Sequence, residues 1–107
     1  MYKMDKKSFA EKELKLLRDQ INKQDKLLLQ TLKKRFQIVK KVAILKKKHN
    51  LPILQKSRWK TIIEDRVRQG EAMKIDAGFT TMLMKLIHKE SVRYQKTFQQ
   101  KKGTKNE

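Results

Sequence analysis

Read in steps of four and three from Leu14, the chain runs Leu14, Arg18, Ile21, Asp25, Leu28, Leu32, Arg35, Val39, Val42, Lys46. This rhythm is that of one face of a helix, apolar except for three cations and one acid. A half-buried charge is costly unless it is paired, so cations lining such a stripe point to an anionic ligand inside a helical bundle. Only one proline and three glycines punctuate the chain, and long helices are expected. The first should run from Phe9 to Lys48, about 60 Å at the rise of an α-helix. It should stop at His49-Asn50-Leu51-Pro52, where Asn50 suits a C-terminal cap and Pro52 disfavours helix at Leu51. After a short loop, Leu51 to Lys56, Ser57 is the expected N-cap of a second helix. That helix carries Trp59, Ile62, Ile63, Arg66 and Val67 and should end near Gln69-Gly70. Asp76 should cap a third, reaching about Gln99 with Phe79, Leu83, Leu86, Ile87, Tyr94 and Phe98 as its apolar set. There is no strand-like alternation and no internal repeat, so the fold class is all-α with three helices per chain. The first helix is too long to be covered by two shorter ones. An intertwined homodimer is the simplest way to bury both stripes.

Length and composition narrow this further. At 107 residues the chain is one domain, with little core of its own. The expected layout is a flexible N-terminus over 1–8, a folded domain over 9–100 and a disordered basic tail over 101–107. With no cysteine, disulfides and thiolate metal sites are excluded, which fits a reducing compartment. Met1 to Lys12 has no apolar stretch and nothing is long enough to span a bilayer, so a soluble, cytoplasmic protein without membrane contact is expected. The formal net charge of +18 would attract any polyanion. Lysine far outnumbers arginine, aromatics are few and the basic residues are spread along the whole chain. A solvated exterior is therefore favoured over a nucleic-acid surface, and an anionic small substrate would gain in association rate either way.

The chemistry-bearing residues sit on that helical pattern. Arg35 and Lys46 are eleven residues apart, which returns them to about the same helix face, with Val39 and Val42 between them. Arginine offers a planar fork for carboxylate and lysine a compact point charge. On the third helix Ser91 and Gln95 stand one turn apart on the face of Ile87. Two cations with Ser and Gln describe a pocket for a small anion. The plainer alternative is that the cations snorkel to the bundle ends and Gln95 satisfies a backbone group. The two histidines, His49 and His88, fall on the loop and the third helix and are expected to take no direct part in chemistry.

The ordered set is recognisable. Leu17-Arg18-Asp19-x-Ile21-Asn22-x-x-Asp25, then Leu29-x-x-Leu32-x-x-Arg35, Lys46, Pro52-Ile53-Leu54-x-x-x-Arg58 and Ile87-x-x-x-Ser91-x-x-x-Gln95 resemble the AroQ-type, all-helical chorismate mutases. The resemblance covers roughly Leu14 to Phe98. It implies catalysis of the rearrangement of chorismate to prephenate by a homodimer, with no cofactor and no metal. Arg18 looks like the arginine that reaches a substrate carboxylate from the partner subunit, and Arg35 like the one that binds a carboxylate within its own subunit. Lys46 and Gln95 resemble the pair that hydrogen-bonds the ether oxygen. Arg58 matches the arginine at the start of the second helix, Ser91 a serine contacting the substrate's polar groups, and Asp25 an acid of the first helix, here read as pairing with a nearby cation.

Two positions depart from the family pattern. Gln55 stands where an acid is usual, and can still hydrogen-bond the substrate. Trp59 stands where glutamate usually follows the second-helix arginine, and its indole can only donate. Either Trp59 turns into the core with Ile62 and Ile63, which is the expectation, or it walls the pocket. The lost glutamate keeps open an isochorismate pyruvate lyase on the same scaffold. A basic helical protein that binds nucleic acid is the alternative of a different class. A basic exterior and a free tail are also compatible with an enzyme of the shikimate pathway as partner.

Overall fold

The computed structural model describes residues 5–104, with side chains to residue 99. It contains three helices in order, α1 (Lys6–Lys48), α2 (Lys56–Ala72) and α3 (Ala77–Thr104). The described residues contain no strand. α1 begins at Lys6 and α3 continues to Thr104, so the helices extend at both ends beyond the expected ones. Residues 1–4 and 105–107, parts of the expected N-terminal segment and tail, lie outside the described residues.

The chain divides into two compact units, Met1–Arg35 and Phe36–Glu107. In the first, the described residues from Lys6 onward are helical turns of α1. Phe9, Leu14, Leu16, Leu17, Ile21, Leu27, Leu28 and Leu29 are all between 44% and 66% exposed. The pairing expected for Asp25 is not formed among the described residues.

In the second unit the helix ends explain the turns. Leu51 N–H donates to Lys46 O at 2.8 Å and Asn50 N–H to Lys47 O at 3.4 Å, with Asn50 at φ 54°. This is a Schellman cap, in which asparagine tolerates the left-handed conformation, as the sequence leads one to expect. α2 ends in the same way one turn later than expected. Ile75 N–H donates to Gly70 O at 2.8 Å and Lys74 N–H to Glu71 O at 3.0 Å, with Lys74 at φ 63°. Gly70 is therefore not the terminator. It is buried because α3 passes close to it, and a methyl group there would lie 2.7 Å from Thr80 Oγ1.

The starts of α2 and α3 differ. Asp76 Oδ2 accepts the Phe79 N–H at 2.9 Å, the expected cap of α3. α2 has Gln55 at its N-cap with no side-chain bond, and Ser57 lies inside the helix, where its carbonyl accepts from Thr61 Oγ1 at 3.1 Å. The chain enters α2 two residues too early for the serine to cap it. The face that α3 buries matches the expected one in Ser91 and Gln95 and departs from it in the apolar set. Phe79 and Leu86 are exposed, whereas Thr80, Ser91 and Gln95 are buried. Ala43 of α1 is the one buried apolar residue of the described chain. The interior of this unit is lined by polar groups.

Candidate functional site

The last turn of α1, the loop after it and the middle of α3 converge on one ammonium group. Lys46 Nζ donates to the Ile53 carbonyl at 2.6 Å and to Gln95 Oε1 at 3.3 Å. The Schellman cap at Asn50 turns the chain so that the Ile53 carbonyl returns over the helix end. Gln95 is only 6% exposed, and no buried side-chain polar atom among the described residues lacks a partner. An ammonium has three protons and accepts nothing. Lys46 therefore takes the amide by its oxygen, which leaves Nε2 as the donor of Gln95. Two of the three Lys46 protons are committed to neutral oxygens.

No carboxylate among the described residues pairs with Lys46. Burial lowers its pKa from the ordinary lysine value, and the positive charge of Arg58 lowers it further. Arg58 stands in the first turn of α2. That turn contains no acid and carries Lys56 as well, so two cations oppose the positive end of the helix dipole. Lys46, Arg58 and the helix start all present positive potential, and no carboxylate among the described residues forms an ion pair with either cation. An anionic ligand would relieve each of them at once.

The other expected residues are placed as follows. Ser91 is 6% exposed, and its Oγ donates to Ile87 O at 2.9 Å, back along its own helix. Gln55 is exposed at the α2 N-cap. Arg35 is half-buried and Arg18 exposed, both in the first unit. Val39 is half-buried and Val42 38% exposed. Thus Lys46 and Gln95 are joined by a hydrogen bond, the exposed Arg58 is near enough for its charge to act on Lys46, Ser91 lies one turn from Gln95, and Gln55 faces solvent. Beside Lys46 an open cleft of about 380 Å³ is lined by Lys47, Asn50, Leu51, Pro52 and Gln99. Lys47 Nζ donates to the Gln99 carbonyl at 3.2 Å, and Lys40 lies 6.0 Å from the Phe98 ring centroid. Long side chains of α1, and not close backbone approach, make its contact with α3.

Two features lie outside the sequence reading. The Ile53 carbonyl is a backbone acceptor that no side-chain motif announces. Trp59 is half-buried, as are Ile62 and Ile63, and its ring stacks on His88 of α3 with centroids 3.8 Å apart and planes 17° from parallel, a partner that the sequence reading did not name. The signal was present, since His88 precedes Gln95 by seven residues and so shares its helix face.

Known proteins bear on this arrangement. The family described as chorismate mutase type II matches residues 17–96. The T-protein of Enterobacter agglomerans is 33% identical over 79 residues, 74% of this chain and 21% of that protein. The bifunctional chorismate mutase/prephenate dehydratase of Buchnera aphidicola subsp. Schizaphis graminum is 34% identical over 87 residues, 81% of this chain and 23% of that protein. The chain thus spans less than a quarter of the length of these curated relatives. No described helix is long and apolar enough to cross a membrane. With three helices, no strand among the described residues, a lysine and a buried glutamine joined across α1 and α3, and a family match over most of its length, the chain belongs to the type II chorismate mutases.

Proposed function

We propose that this protein catalyses the [3,3] rearrangement of chorismate to prephenate, acting as a homodimer. The observation that carries the reading is the bond from Lys46 Nζ to Gln95 Oε1, which joins a desolvated ammonium to a buried amide. The reaction is unimolecular and needs no nucleophile. It requires that the compact diaxial conformer be held and that negative charge developing on the ether oxygen be stabilised. The uncommitted Lys46 proton and Gln95 Nε2 are the donors for that oxygen. Preorganised donors of this kind are worth about 3 to 4 kcal/mol each. The family pattern assigns the two substrate carboxylates to Arg18 and Arg35, a clamp that reduces the entropy of reaching the transition state. Arg58 adds positive potential, and Gln55 and Ser91 are the remaining polar contacts.

The dimer is supported by the apolar residues that α1 leaves uncovered from Phe9 to Leu29. Contiguous apolar surface of this kind marks an interaction site. A second copy of the chain is the partner that the family resemblance implies, with Arg18 reaching across the interface.

The test follows chorismate absorbance with purified protein, identifies the product and compares Arg35→Ala. Prephenate formation that falls by at least about a hundredfold in the variant supports the reading. Untouched chorismate together with pyruvate release from isochorismate would replace it with the lyase, for which Trp59 in place of the usual glutamate is the favouring observation.

A further inference from the structure

We propose that the Trp59–His88 stack is a positioning device that holds the first turn of α2, and Arg58 within it, at the Lys46–Gln95 pair. The first turn of α2 has little of its own to hold it. Its N-cap makes no side-chain bond, it contains no acid, and Lys56 and Arg58 oppose the dipole. Such a turn frays unless it is held from outside. Trp59 follows Arg58 directly, is half-buried and stacks its ring on His88. A stacked aromatic pair adds attraction beyond the area it buries.

The location of the stack gives it a consequence. His88 and Gln95 are seven residues apart on α3 and so share one face, about 10 Å apart along the axis. On α2, Trp59 and Arg58 are neighbours. A contact between Trp59 and His88 therefore ties the residue next to Arg58 to the helix face that carries Gln95. The other end of the hairpin is fixed where Gly70 meets Thr80. Two fixed points determine how α2 lies on α3, and the aromatic one sits at the end where the cations gather. Trp59 and His88 are positioning residues here, since they act through Arg58.

The kinetic arm of the test rests on the chorismate reading, while two other arms need no substrate. Trp59 is the only tryptophan of the chain, so its fluorescence reports the stack directly. In His88→Ala, iodide should quench Trp59 more strongly than in the wild type. The titration of Lys46, followed by NMR of its labelled side chain, reports the nearness of Arg58. Its midpoint should rise in Arg58→Gln, and should rise in the same direction in Trp59→Ala and His88→Ala. Trp59→Phe, which can still stack, should stay near wild type. With chorismate, kcat/KM should fall by about tenfold to a hundredfold in the two alanine variants and recover in Trp59→Phe. Unchanged iodide quenching in His88→Ala overturns the proposal. So does a Lys46 midpoint that moves in Arg58→Gln but in neither alanine variant, or in none of the three. Should Trp59→Ala fail to fold, His88→Ala and Trp59→Phe decide the matter. A wild type that leaves chorismate untouched defeats the functional reading alone, because the fluorescence and NMR arms still judge the stack.

Discussion

Lys46 is the residue whose chemistry is most constrained by its surroundings. It donates to two neutral oxygens, Ile53 O and Gln95 Oε1, and faces the like charge of Arg58, while its α1 neighbour Lys47 is turned to the Gln99 carbonyl. Its folded pKa lies below the ordinary lysine value, first through burial and then through Arg58. The protonated form is the donor, so activity should fall on the alkaline side earlier than for a free lysine. A bound dianion favours the ammonium again. The alkaline limb of kcat/KM, which reports the free enzyme, should therefore lie at lower pH than the limb of kcat. Stability should move the other way. Between the folded and unfolded pKa values the unfolded chain holds more protons at this position, so its contribution to stability rises with pH. Comparing urea unfolding and kinetics across that window in wild type and Lys46→Met checks both signs. Coincident limbs for kcat and kcat/KM would mean that the substrate does not meet Lys46. The helix faces that carry Lys46 and Gln95 were legible from spacing, and the grouping of the two followed from the family resemblance. The Ile53 carbonyl was not legible, since it is backbone; His88 could be placed on the Gln95 face, but its meeting with Trp59 depends on the rotation of α2 against α3.

The ends and crossings of the helices carry their own predictions. Lys74 occupies a left-handed cap position that favours glycine, with φ 63°. A non-glycine residue there costs about 1 to 2 kcal/mol, partly returned by its lower entropy in the unfolded chain. Lys74→Gly should therefore raise stability by about 1 kcal/mol, read as a higher urea midpoint at unchanged slope. Gly70 presents the opposite case. Alanine gains about 1 kcal/mol of helix propensity, but its methyl would stand 2.7 Å from Thr80 Oγ1, a buried group held by Asp76 O at 3.1 Å. Gly70→Ala should lower the melting temperature in the wild type and raise it in a Thr80→Ala background. Equal effects in the two backgrounds would remove the contact as the cause. Asn50 and Asp76 were legible as helix boundaries because their side chains name their roles. The end of α2 was not: the glycine that looked like a terminator serves a close approach, and a lysine takes the cap. On α3, Ser91 and Gln95 are buried as their inward-facing spacing led one to expect, whereas Phe79 and Leu86 of the expected apolar set are exposed and Thr80 is buried, because hydrophobicity alone does not find polar interior positions.

At the scale of the molecule, the sequence announced three helices and a stripe too long for its own chain to cover, but no sequence rule says which copy of a residue completes which site. In the proposed dimer, Arg18 would serve the partner's site and Lys46 its own. That assignment can be tested by mixing two inactive variants. Arg18→Ala damages the site of the partner, and Lys46→Ala damages its own. In a hybrid dimer of the two, both defects fall on the Lys46→Ala protomer's site, and the other site regains every group. Random reassortment of equal amounts should therefore restore about a quarter of wild-type activity from two nearly inactive proteins, because half the dimers are hybrids with one sound site each. If Arg18 served its own chain, each hybrid site would keep one defect and mixing would restore nothing. Since hybrids form only as fast as dimers exchange, recovery should follow unfolding and refolding of the mixture. The same dimer should show a melting temperature that rises with protein concentration, a dependence that a stable monomer lacks.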